Sequence, residues 1–418
     1  MNFTPSTDHA GLDNAKLDEL RAAMQTYIDD EKLASIVTVV WKDGELAMMD
    51  AYGVLDFESK VPTEIDSIFR IYSMTKPITG VALMTLWEQG KFQLDDPVAN
   101  YLPDLADLQV FVKEGEDGTI VTEPCKTPMT IRHLMTHTSG LSYGWRDHPI
   151  DKMYGKAKIN DYYGTIAGNV EKLGEIPLGY QPGEGWQYSV AVDVQARLIE
   201  VLSGMEYRDY LKLAVLNPLG MVDTDFFVPE DKRHRFTSNF GPGENSSGMA
   251  PSALAVRGEP FGKAGIERVD HPGHGSIYDS LPSFCMGGGG LVSTALDYLT
   301  FTTMLAQKGE VNGTRILKTE TVELMTQNHI PDNLIPINLE GMSMPETGFG
   351  LDLSVRMTDE VEYWPGVVGE YGWSGAASTH FFVAPEQNLV GILLTQMLPA
   401  YTYLIEIEFK KHIYAALT

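Results

Sequence analysis

The sequence predicts an α/β protein of the α+β kind: an antiparallel sheet flanked by helices, built from both termini, with a mainly helical domain inserted between them. Three observations carry this. Residues 13–52 set a helical stripe before two β-rich runs, and residues 349–416 carry similar composition in the opposite order. The stretch between them is dominated by helical periodicity. At 418 residues the chain also exceeds the ~100–200 residues usual for one domain.

The elements follow in order. Leu17, Leu20, Met24, Tyr27 and Ile28 recur at helical spacing with acidic residues opposite. Residues 35–41 are β-branched and stop at Lys42-Asp43-Gly44, a hairpin signal into a second strand over 46–52. Helices are expected over residues 75–89, 130–136, 191–203, 207–215, 294–307 and 318–328. Thr294 with Asp297 three residues on reads as an N-terminal box, Ser293 as a cap, and Gly309 as a stop. Residues 111–122, interrupted by Glu116-Asp117-Gly118, read as a small hairpin insertion with a solvated acidic tip. Residues 229–290 are rich in Gly, Pro, Ser and His and 329–348 are similarly irregular, and loops that long serve as lids, binding walls or disordered segments. Strands over 349–355, 379–383 and 389–394 and a helix over 403–416 complete the chain.

Composition narrows the function classes. Asp and Glu total 57 against 31 Lys and Arg, and the formal net charge of -26 repels phosphate backbones and anionic lipid. Cys125 and Cys285 are the only cysteines, so neither a disulfide framework nor a CxxC metal site is expected. No stretch reaches the ~20 apolar residues of a membrane-spanning helix. The start lacks a basic and an apolar signal region, so a cytoplasmic or a processed soluble protein is expected. No metal, cofactor, nucleic-acid or membrane partner is expected, and oligomeric state is left open.

Ser73-Met74-Thr75-Lys76 carries the chemistry. It follows an extended stretch and opens a helix, where positions i and i+3 share a face, so the Lys76 amine can sit beside the Ser73 hydroxyl. A free serine is a poor nucleophile, and a desolvated lysine can activate it. One such tetrapeptide arises by chance in a chain of this length, so its weight comes from what surrounds it.

Those surroundings are Ile71-Tyr72-Ser73-Met74-Thr75-Lys76-Pro77, the run from Met129 to Leu141, Pro182-Gly183-Glu184-Gly185-Trp186-Gln187-Tyr188-Ser189, Asn217-Pro218-Leu219-Gly220-Met221, Gly287-Gly288-Gly289-Gly290-Leu291 and Phe349-Gly350-Leu351. With them the chain resembles the serine β-lactamase-like superfamily over about residues 15–415. That group spans class C β-lactamases, DD-peptidases and family VIII carboxylesterases, and the last are nearest. The resemblance implies a β-lactamase/transpeptidase-like fold. Its discontinuous α/β domain would be 1–72 with 346–418, and its helical domain 73–345. It also makes Tyr188 the second-motif tyrosine, which takes or relays the nucleophile's proton and whose pKa a flanking lysine can lower. Val190 stands where relatives acting on lactams and peptides hold an amide-binding asparagine. Trp373, in Tyr371-Gly372-Trp373-Ser374-Gly375-Ala376, replaces the third-motif lysine, as in family VIII esterases. The amides of Ser73 and Ala376 are the implied oxyanion hole.

The reading is therefore a serine carboxylesterase forming an acyl-enzyme on Ser73, with Lys76 and Tyr188 as general base and acid. Which of the two is the primary base stays open at this point. Tyr72, Trp186, Trp373, Ser374, Gly375 and Phe284 are candidate binding residues for small esters with short acyl or aryl groups. Two rivals stand beside it: a β-lactamase or D-amino-peptide hydrolase using the same nucleophile, and a non-catalytic binding homologue. Weak β-lactamase side activity is compatible with the first reading. Gly372–Ala376 also approximates a GxSxG elbow, but β-rich sequence follows where that motif needs a helix. His133 and His137 at i, i+4 are expected to be structural, bonding loop carbonyls, and His271 and His274 to be exposed loop residues.

Overall fold

The computed structural model describes residues 4–242, 260–261, 263–339, 342–344, 347–359 and 364–417. In chain order its framework begins with α1 (Asn14–Asp29), β1 (Ser35–Lys42), β2 (Glu45–Gly53) and α2 (Thr75–Glu88). The helices α3 (Ile131–Met135), α4 (Ala191–Ser203) and α5 (Ala295–Ala306) follow. The chain closes with β3 (Thr347–Phe349), β4 (Ser354–Arg356), β5 (Tyr371–Ser374), β6 (His380–Ala384), β7 (Leu389–Thr395) and α6 (Ile405–Ala415).

The seven strands form one antiparallel sheet in the order β3-β4-β5-β6-β7-β1-β2. The chain ends meet in it, since Ile36 pairs with Thr395 and Lys42 with Leu389. Asp43 (φ 52°) and Gly44 (φ 91°) turn the first hairpin. Left-handed residues at both turn positions match the strand twist, which explains the Asp-Gly pair. Both β1 and β7 are buried along nearly their whole length. Their faces are covered by different helices: α1 and α6 pack on one side, α5 on the other. That double coverage is why these strands read as continuous apolar runs and not as an alternation.

Helix α1 is capped by Asp13, whose carboxylate accepts from the amides of Ala15 and Lys16, and it buries Leu17, Leu20 and Met24 as its stripe predicts. The stretch 349–355, read as one strand, is two. Gly350 donates to Leu353 O at 2.8 Å, and Asp352 adopts φ 62°, so the chain reverses there. A side chain on Gly350 would stand 2.2 Å from Met325 O, which makes the glycine a packing requirement. The turn sends Asp352 into the interior.

The helical middle contains two helices that the sequence reading lacked, Pro149–Ala157 and Ile166–Gly174. Each spans nine residues, shorter than the window in which helical periodicity stands out. The helix read over 207–215 is α-helical only over Tyr207–Leu211 and continues as a π-turn. Thr294 caps α5, accepting from the Asp297 amide at 3.2 Å. The box is not reciprocal, because the Asp297 carboxylate receives Asp223 N–H and Thr224 Oγ. Ser293 is no cap: it lies in a two-residue strand paired with Phe69, just ahead of the Ser73 segment. The 229–290 region carries strands Asn239–Gly241, Pro260–Phe261 and Ile266–Asp270, the last in the centre. Residues 243–259 and 262 of that loop, and 340–341 and 345–346 of the 329–348 loop, lie outside the described residues. Cys125 and Cys285 are both free thiols. Among the described residues no helix is long and apolar enough to cross a membrane.

Arg70 ties the loop to the sheet. Its fully buried guanidinium donates to Asp270 at 2.6 Å, Thr237 O at 2.6 Å and Gln396 Oε1 at 3.3 Å, and lies 4.0 Å from the Phe236 ring centre. Removing one member of a buried ion pair strands the other, at about 3–5 kcal/mol. Arg70→Met is expected to lower the unfolding free energy by that amount in a urea titration. A loss under ~1 kcal/mol, the scale of a surface pair, would contradict it.

Candidate active site

Ser73 sits in a single 3-10 turn, Tyr72–Met74, between the short strand Phe69–Arg70 and α2. Lys76, one turn on, is fully buried. Its amine donates to Ser73 Oγ at 3.2 Å, Tyr143 OH at 2.8 Å and Gly288 O at 2.5 Å. All three donors of the ammonium are thereby used, and one of them addresses the serine. Burial pushes the Lys76 pKa down to about 7, against the pull of Asp193 and Asp352, which favour the charged form.

Tyr188 follows the Pro182-Gly183-Glu184 turn and leads into α4. Its hydroxyl receives the Trp373 indole N–H at 3.0 Å and is hydrogen-bonded with Ser73. The Lys76 amine lies 4.5 Å from the Tyr188 ring centre. The expected lowering of the phenol pKa is not what the geometry produces. Burial pushes it well above the ordinary value, and the bonds from Ser73 and Trp373 offset this only in part. The phenol is therefore protonated at neutral pH and suited to passing a proton on.

The third-motif strand is β5. Trp373 is buried on it, and Ser374 at its end bonds His380 Nδ1 at 2.8 Å. A tight turn then leads into β6, so Ser374 does not sit on a strand-to-helix elbow. A side chain on Gly375 would stand 2.4 Å from Ile71 O, so glycine is what lets the turn carrying Ala376 close onto the Ser73 segment. At Gly288, opposite, the fit is looser, and an added carbon would lie 3.0 Å from Tyr143 OH.

Aromatic rings line this ground. Trp186 stacks on Tyr188 at 6.3 Å, and Phe349 stands edge-on to Trp373 at 5.3 Å. Tyr72 is half-buried, its hydroxyl receiving the Asn239 amide at 2.9 Å. Phe284 is fully buried in the main core, and Val190 is buried ahead of α4. Among the described residues, neither the His133 nor the His137 ring bonds a loop carbonyl. His133 Nδ1 accepts the Thr130 amide at 3.2 Å, and His137 Nδ1 pairs with Ser189 Oγ at 3.1 Å. A helix N-terminus has unpaired N–H groups, so the ring at His133 serves as acceptor.

Four residues at the site were not foreseen in these positions. Tyr143, two residues beyond the matched run ending at Leu141, reaches Lys76. His137 sits 4.8 Å from the Tyr188 ring. Asp193, on α4, accepts the Gly288 amide at 3.0 Å, and burial raises its pKa to about 6. Asp352 accepts from Gln195 Nε2 at 2.9 Å, and burial holds its carboxyl well above the usual range. Asp193 had a legible signal, following Val190 by three places on a helix. Asp352 had none, because its orientation depends on a turn.

Comparison with known proteins finds relatives whose names describe esterases and acyltransferases. The chain is 32% identical over 305 residues to Esterase EstB of Burkholderia gladioli, covering 70% of each sequence. It is 27% identical over 386 residues to Lovastatin esterase of Penicillium rubens, covering 88% of this chain and 90% of that one. The solved structure of EstCE1, described as a hydrolase with promiscuous acyltransferase activity, superposes with a TM-score of 0.77 at 24% identity, over 96% of this chain and 99% of that one. The beta-lactamase family model matches residues 20–405, nearly the whole framework described above, and the chain belongs to the beta-lactamase family.

Proposed function

We propose that the protein is a serine hydrolase of carboxylic esters, acting on short acyl or aryl esters through an acyl-enzyme on Ser73. The observation that carries this is the buried Lys76 amine 3.2 Å from Ser73 Oγ, with the Tyr188 hydroxyl also bonded to that serine. Ser73 attacks the ester carbonyl while its proton passes to the Lys76–Tyr188 pair. The amides of Ser73 and Ala376 receive the oxyanion, where each donor contributes roughly 3 kcal/mol. Tyr188, with its raised pKa, delivers the proton to the leaving alkoxide, and water repeats the cycle on the acyl-enzyme. Ester specificity rests on Val190 and Trp373: neither offers the amide partner or the cation that a lactam or peptide substrate would engage. The esterase names of the relatives support the same reading.

The test compares turnover of p-nitrophenyl butyrate and nitrocefin by the wild type, with intact-mass detection of the butyryl adduct. Fast ester turnover, slow nitrocefin turnover and a single adduct on the Ser73 peptide are expected. Preference for nitrocefin would instead favour a β-lactamase, and absence of any adduct would favour a binding role.

A pH dependence follows from the lysine. Lys76 accepts a proton only when neutral, and burial has brought its pKa down to about 7. The neutral fraction grows as pH rises, so kcat/KM is expected to climb through neutrality and flatten above it. A profile falling over the same interval, read by stopped assays in constant ionic strength, would exclude Lys76 as base.

A further inference from the structure

The Lys76 amine is held by a single peptide group. Gly288 O accepts from it at 2.5 Å, while the N–H of the same residue donates to Asp193 Oδ1 at 3.0 Å. Asp193 Oδ2 is buried, and the Gly287 amide also favours the charged carboxylate. A side-chain carbon on Gly288 would stand 3.3 Å from that oxygen and 3.4 Å from the Lys76 amine. The two ionisable groups thus face each other across the side chain that Gly288 lacks.

We propose that Asp193 is the positioning residue of the nucleophile's base: it fixes the Gly288 carbonyl that receives Lys76, and its carboxylate is the counter-charge against which Lys76 ionises. The proposal rests on the reading of Ser73 and Lys76 as nucleophile and base. Of the other groups facing the pair, only Asp352 also favours the charged form of Lys76. Tyr188, Tyr207 and Tyr162 feel Asp193, and burial raises all three phenols, leaving them neutral. His137 feels Lys76 and is held neutral by burial. Asp352 bears on Lys76 but is pushed well above the carboxylate range, toward its neutral form. Tyr143 contributes a hydroxyl to the amine. Asp193, bonded to the same peptide as Lys76 and the first of the two carboxylates that pull on it, is then the group whose charge bears most directly on the amine.

The sign of the effect is definite. An anion beside an ammonium stabilises it, so removing the anion makes Lys76 lose its proton more readily. Asp193→Asn keeps an oxygen for the Gly288 amide and deletes only the charge. The readout is the pH dependence of Ser73 labelling by a fluorophosphonate, which needs no knowledge of the natural substrate. The acid limb is expected to move down by about one pH unit, which is about tenfold faster labelling on that limb. Asp193→Ser, smaller and also uncharged, serves if the asparagine variant does not fold, with the same shift expected. A wild-type limb retained by the folded variants would overturn the role of Asp193 while leaving Ser73 and Lys76 in place. Labelling that persists in Ser73→Ala, or is absent from the wild type, would overturn the nucleophile reading and this proposal with it.

Discussion

Ser73→Ala is expected to lower kcat for p-nitrophenyl butyrate by about 10⁴- to 10⁶-fold, because the proposed acyl-enzyme could no longer form. The reason is local. Lys76 and Tyr188 both address the Ser73 oxygen, and without it they have no proton to move. Residual activity would come from the oxyanion donors and binding alone. The fold should not change, since Ser73 lies in a turn whose backbone bonds are made by its neighbours, such as Met74 N–H to Ile71 O at 3.0 Å. The measurement is single-turnover p-nitrophenol release by purified variant and wild type at matched thermal stability. A loss under about tenfold would move the nucleophile elsewhere, since an acyl-enzyme residue removed alone costs orders of magnitude more.

Lys76→Met is the second large effect, with an expected fall of about 10²- to 10⁴-fold in kcat, the range for losing a positioned general base. Methionine has nearly the same length and no charge, so packing between α2 and α4 persists. KM is expected to hold within a few-fold, because Lys76 lies beneath the serine and contacts protein groups on every donor. Stability should change less than for Arg70→Met, because burial already raises the Asp193 pKa to about 6 and its carboxyl can take up a proton once it is alone. Full kinetic curves with thermal melts separate these quantities. A fall in melting temperature together with kcat would indicate a structural lysine, whereas a fall in kcat alone indicates the base.

Much of this was legible in residue order. The stripe Leu17, Leu20, Met24 marked α1 because burial of one helical face leaves a 3.6-residue trace. The β-branched run over 35–41 and the apolar run over 389–394 marked two central strands for the same kind of reason. Ser73 and Lys76 were legible because a helix turn converts sequence spacing directly into proximity. Tyr188 needed the resemblance, since it lies more than a hundred residues from the serine and no local rule brings it there. The two nine-residue helices were too short to show a period, and the broken strand at 350–353 turned on a left-handed Asp352.

By itself the sequence determined what local geometry controls: the main elements, the pairing of Ser73 with Lys76, and the absence of an amide side chain at Val190 and a cation at Trp373. The tertiary structure decided everything that depends on burial and on approach between distant segments. It placed Gly288 against Lys76, set Asp193 behind that peptide, and turned Asp352 inward. It also reversed the expectation for Tyr188, whose phenol burial keeps protonated although a lysine stands over its ring. The physical reason is that proton affinity is set by desolvation and by charges a few ångströms away. Those distances come into being only when α2, α4, β5 and the glycine run close around one serine.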